Sequence, residues 1–130
     1  MSATHRLGWR DWADGVSEAI KHALYALDHT WVDAKDPLKR AIEYTVSMAY
    51  ATKRETVGDR TYGLMAPIIW NIDAALAIQM VLDDGPRDIA PGVDDRHVMT
   101  SAIPALLRHA LISLDEYTSA MARHDKGHSR

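Results

Sequence analysis

The stretch IIWNIDAALAIQMVL, Ile68 to Leu82, is apolar almost all the way round its helical circumference, yet it carries Asn71, Asp73 and Gln79. Pro67 just before it fits the first turn of a helix, where a missing N–H leaves no bond unmade. A helix on the outside of a globular domain shows water a broad polar face. Here Asn71, Gln79 and Asp83 fill only a narrow arc, with Ile69, Leu76 and Met80 on one side and Trp70, Ala74, Ala77 and Val81 on the other. The apolar excess must be covered by a loop, by a second copy of the chain or by a different protein.

Asp73 falls within the apolar arc, beside Ile69, Leu76 and Met80. A buried ionised carboxylate without a partner is too costly to persist, so this position predicts a partner or a proton. Tyr44, Tyr117, a histidine or an arginine of a second copy are the candidates. Two versions stay open: a hydrogen bond within the chain, or a pair across an assembly interface that fixes its register.

Leu64 to Leu82 approaches the length of a membrane span. Asp73 near its middle would cost about 2.5–3.5 kcal/mol there, and Pro67, Asn71 and Gln79 add to the penalty. The N-terminal MSATHRLGWRDW has no basic region followed by an apolar run, so no signal peptide is expected. These features predict a buried helix of a cytoplasmic protein with no membrane partner.

Working outward, apolar residues recur at three- and four-residue steps in four segments, and no run alternates with strand period. The first segment spans about Leu7 to Val32 with Trp9, Ala13, Val16, Ile20, Leu24, Leu27 and Trp31 in one stripe, and Gly15 inside it is where a bend is expected. The second starts at Asp36, a capping residue, and Pro37, and ends at Lys53 and Arg54, which suit the negative end of a helix. Leu38, Ile42, Thr45, Val46 and Ala49 are its expected inward positions, and ETVGDRT after it reads as a polar loop. The third segment runs from about Ala66 to Asp83 or Asp84, stopped by Gly85 and Pro86.

GPRDIAPGVDD then forms a long acidic connection. The fourth segment carries Ile103, Leu107, Ala110, Leu111, Leu114, Tyr117 and Met121, and Pro104 sets its expected start near Ser101 after a short turn from Asp95. Residues 1–6 and 123–130 are expected to fray. The expectation is one all-α domain over residues 1–130, an antiparallel four-helix bundle in up-down-up-down order.

Composition narrows the chemistry. The chain has no cysteine, which excludes disulfides, thiolate metal sites and cysteine nucleophiles. A formal net charge of -3 supplies no basic field for nucleic acid, and basic side chains are scattered among acidic ones rather than interleaved with aromatics. No phosphate-binding glycine loop, dinucleotide fingerprint or nucleophile elbow occurs.

Two histidine–carboxylate sets are the candidate metal ligands. Glu18, His22, Tyr25 and His29 share one face of the first segment, and His109 and Glu116 share one face of the fourth. Both faces lie opposite their apolar stripes, so a charged outer surface is the simpler reading. A carboxylate-bridged di-metal bundle needs inward Glu and Glu-x-x-His ligands. Glu18, Glu43 and Glu116 all lie outside the stripes and Glu-x-x-His is absent. No metal and no cofactor are therefore expected.

RHDKGH, Arg123 to His128, resembles the Arg-x4-His spacing of the HEPN-type helical ribonucleases over those six residues. The resemblance implies a phosphodiester-cleaving pair, Arg123 and His128, on a small helical domain. A ribonuclease or metal-binding bundle using surface His, Glu and Arg residues is thus the alternative function. The favoured expectation is a non-enzymatic protein-interaction module, an adaptor, inhibitor, assembly factor or accessory subunit, acting as a homodimer. Its contact surface would be Ile69, Trp70, Asp73, Leu76, Ala77, Met80 and Val81, with the acidic 83–95 loop at the rim; the partner is another protein or a second copy, with no nucleic acid expected.

Overall fold

A computed structural model describes residues 7–29, 33–84 and 95–128. Its helices are α1 (Trp9–Leu27), α2 (Lys35–Lys53), a short α3 (Asp59–Gly63), α4 (Ala66–Asp84) and α5 (Asp95–His128). The four long ones pack as a ring, α1 on α2, α2 on α4, α4 on α5 and α5 on α1, in an up-down-up-down antiparallel bundle. This is the architecture that four periodic segments joined by mostly short links dictate.

The α1 stripe of Trp9, Ala13, Val16 and Ile20 is buried, and the neighbouring Ala19, Ala23 and Ala26 bring its backbone close to the core. Gly15 makes no break in α1. A Cβ there would lie 3.1 Å from Cδ2 of Tyr44, so the glycine lets that ring lie on the helix. α1 stops at Leu27, short of the expected Val32. The ring N–H of His29 donates to the Tyr25 carbonyl at 2.7 Å, and the amides of Asp28 and His29 close onto carbonyls three residues back. That tightened turn ends the α-helical pattern. Trp31 and Val32 lie outside the described residues.

α2 starts one residue before Asp36, and Asp33 rather than Asp36 supplies the terminal acceptor, taking the Lys35 amide at 2.9 Å. Its inward stripe is also rotated from the expected one. Leu38 and Thr45 are buried as expected, but Ala41, Met48, Ala51 and Thr52 complete the face, Ile42 and Ala49 are half-buried, and Val46 is 41 % exposed. Two threonines make the difference. Thr45 and Thr52 donate their hydroxyls to the Ala41 and Met48 carbonyls, each at 2.7 Å, which satisfies them without water.

The segment expected as a plain loop contains α3, which begins after the extended Gly58 and touches both α2 and α5. α5 begins at Asp95 rather than Ser101 and runs through Pro104. Ile103 and Leu107, both fully buried on either side of that proline, hold the two halves on one core. The helix continues through the 123–128 segment expected to fray. There the His124 ring donates to the Glu55 carbonyl at 3.0 Å and Arg10 meets Asp125 at 3.4 Å.

These contacts sit at the end of the bundle where α1 and α4 start and α2 and α5 finish. Trp9 meets Tyr117 edge-on with ring centroids 5.9 Å apart, and the Tyr117 hydroxyl reaches Thr52. At the opposite end Lys35 pairs with Asp83 at 3.3 Å.

Candidate functional site

α4 turns Ile68, Ile72, Ala75 and Leu82 into the core. This orientation inverts the polarity read from its sequence. Asn71 and Gln79, the narrow polar arc, are half-buried, and each amide is satisfied locally: Asn71 donates to the Pro67 carbonyl at 2.6 Å and Gln79 to Asp83 at 2.9 Å. The face turned outward is the apolar one. Trp70 is 69 % exposed, Met80 and Val81 are each 44 % exposed, Ala77 is exposed, and Ile69 and Leu76 are half-buried at its edge.

Asp73 stands on that outward face and is exposed. It is not the buried carboxylate expected from the helical wheel. Its position lies beside Ile69 and Met80, as expected, but that side of α4 faces water, where a carboxylate is hydrated and needs no intrachain partner. Neither tyrosine proposed for it serves. Tyr117 bonds Thr52, and the Tyr44 ring packs against Gly15 and Trp12, with ring centroids 5.8 Å apart in the latter pair. Among the described residues no buried side-chain nitrogen or oxygen lacks a hydrogen-bond partner, so the polar groups of the core are complete within the chain.

Beside this face lies a groove of about 390 Å³ between α2 and the α3–α4 corner, lined by Val46, Ala49, Tyr50, Tyr62 and Ile69 with Lys53 as its one charged residue. Tyr50 is 65 % exposed and Tyr62 42 % exposed, so the groove walls are open as well as apolar. Ile69 belongs to both surfaces and joins them. The groove residues on α2 and α3 were not legible as a site in the sequence. Placing Thr45 and Thr52 inward, on the ground that threonine can bond its own helix, would have turned Val46 and Tyr50 outward.

The metal-ligand candidates are dispersed. His22 lies in a polar hollow between α1 and α2, where Arg40 donates to its Nδ1 at 2.9 Å. Glu18 reaches Lys21 at 4.0 Å, and the His29 ring stacks on Tyr25 with centroids 3.9 Å apart. His109 and Glu116 are exposed on α5, with Ile112 also exposed between them. The described residues contain no group of three His, Asp or Glu side chains placed to hold a metal ion. Arg123 is exposed in a hollow of about 550 Å³ shared with Arg60 and Glu116. The His128 side chain and the 85–94 loop, the expected rim of the contact surface, lie outside the described residues.

Comparison with protein-family models, curated proteins and solved structures finds no match for this chain. By length and composition alone, the helical stretch Asp59–Asp83 is long and apolar enough to cross a membrane. The same stretch supplies three fully buried core residues, Ile68, Ile72 and Ala75, to a bundle with α2 and α5.

Proposed function

We propose that this chain is a non-enzymatic helical interaction module that works as a homodimer. Its contact surface is the outer face of α4 together with the adjoining α2–α3–α4 groove. The observation that carries this reading is the continuity of exposed apolar groups from Val46, Tyr50 and Tyr62 across Ile69 to Trp70, Met80 and Val81. Contiguous apolar patches of this kind on a folded domain mark interaction sites.

A second copy is the occupant because ridge and groove lie side by side on one surface. A two-fold axis between them lets the ridge of each copy enter the groove of the other, the self-complementary arrangement of an isologous dimer. Trp70, large and mostly exposed where the ridge meets the groove at Ile69, is the anchor side chain. Adaptor, inhibitor, assembly factor and accessory subunit are the roles such a dimer would fill.

Size exclusion with light scattering tests the reading. The wild-type protein is expected to run as a dimer at micromolar concentration, and Trp70→Ser and Ile69→Lys as folded monomers. A wild-type monomer, or a dimer indifferent to both changes, would falsify it.

A further inference from the structure

The contact surface of that proposed dimer carries opposite charges on either side of Ile69. Lys53 stands at the α3 end of the groove, where α2 finishes and α4 begins. Asp73 stands on α4 two turns beyond Ala66, about 10 Å further along the helix axis at 1.5 Å per residue. Between them the groove is lined by neutral side chains, with Val46, Ala49 and Ile69 at its centre. Both charged side chains are exposed, and neither has an ion pair among the described residues.

We propose that Asp73 of each copy pairs with Lys53 of the other, and that these two reciprocal ion pairs set the register of the dimer. The inference rests on the homodimer reading above. A two-fold axis at Ile69, between the two charges, brings the positive group of one copy onto the negative group of the other. One residue of each sign therefore yields two identical pairs. Sliding the copies past each other, or docking them in parallel, sets like charges against each other or leaves both charges facing apolar groups. Such mismatches select register even where the matched pair adds little affinity. A helix inserted in a membrane would make no use of this arrangement, because Lys53 and Asp73 belong to the same outer surface.

Complementary charge reversals test the pairing. Lys53→Glu puts two acidic groups in each chain and Asp73→Lys two basic ones, so each variant's own dimer holds only repulsive pairs. Each is expected to weaken self-association about tenfold or more. Mixing the two variants restores both attractive pairs, and a heterodimer of near wild-type strength is expected, read by light scattering or by native mass spectrometry of the mass-tagged chains. An ion pair within one chain would give no recovery on mixing. If the wild type dimerises and Trp70→Ser abolishes it, but mixing recovers nothing, the pairing is wrong and the contact surface stands. If the wild type is monomeric, or partitions into lipid vesicles through Trp70, both the pairing and the homodimer fall.

Discussion

The hydroxyls of Tyr117 and Thr52 lie 2.5 Å apart, and both residues are fully buried. Thr52 donates its own proton to the Met48 carbonyl, so the Tyr117 O–H is the donor between them. The chain Tyr117 to Thr52 to Met48 ties α5 to α2 at the end of the bundle where Trp9 and Met65 also meet them.

The two ends of this chain are unequal on substitution. Thr52→Val removes the acceptor of a buried phenol and should cost about 1–3 kcal/mol, whereas Tyr117→Phe leaves Thr52 bonded to Met48 and should cost about 0.5–1.5 kcal/mol. The double variant should lose less than the sum, since the pair acts together. Urea titration of the three variants measures this. Equal and additive losses would mean that the hydrogen bond contributes nothing.

Burial is the main cause that pushes the Tyr117 hydroxyl up from 10.0 to about 12, with smaller contributions from Glu55 and Asp125. The folded state therefore holds the proton more tightly than the unfolded chain. Its stability contribution is complete below pH 10 and is lost as pH rises towards about 12. Stability profiles over that window should fall less steeply for Tyr117→Phe than for the wild type. Parallel profiles would contradict the assignment.

Thr56 has φ of 55°, in the left-handed region that a β-branched residue rarely enters. Thr56→Gly should relieve about 1–2 kcal/mol of backbone strain and lose about 0.5–1 kcal/mol to unfolded-chain entropy. A net gain of about 0.5–1 kcal/mol is expected by thermal or chemical denaturation. Destabilisation would show that this turn does not hold Thr56 in a strained conformation.

Ile72 and Trp70 stand two residues apart on α4 and should fail in opposite ways. Ile72 is fully buried, so Ile72→Ala should cost about 2–5 kcal/mol of fold stability. Trp70→Ser should leave the melting of the subunit within about 0.5 kcal/mol, because most of that side chain meets water in the single chain. Its cost appears as lost association. Unfolding of Trp70→Ser would place the indole in the core.

Purified protein should carry no stoichiometric zinc or iron. The His22 Nδ1 lone pair accepts from Arg40, and the guanidinium beside it repels a cation. Elemental analysis finding near-equimolar metal, lost in His22→Ala or His109→Ala, would reinstate the metal-binding reading.

Several of these features were legible in the residues themselves. The period-3.6 stripe of α5 matched its buried face, that of α1 did so from Trp9 to Ile20 but not at the half-buried Leu24 and Leu27, and Pro67 marked the first turn of α4. The excess apolar surface of Ile68–Leu82 was equally readable, because no rotation of that helix can bury all of it in a four-helix ring. What the sequence could not supply was the rotation. Periodicity defines a stripe relative to its own helix, but which arc turns inward depends on the neighbours and on how polar groups are satisfied. Thr45 and Thr52 went inside by bonding carbonyls four residues back, which moved Val46 and Tyr50 to the surface. Asn71 and Gln79 likewise found acceptors on α4 itself, freeing Asp73, Trp70 and Met80 to face outward. The Thr52–Tyr117 bond, between residues 65 positions apart, came from tertiary packing alone, since only the closed ring of helices brings the end of α2 against α5.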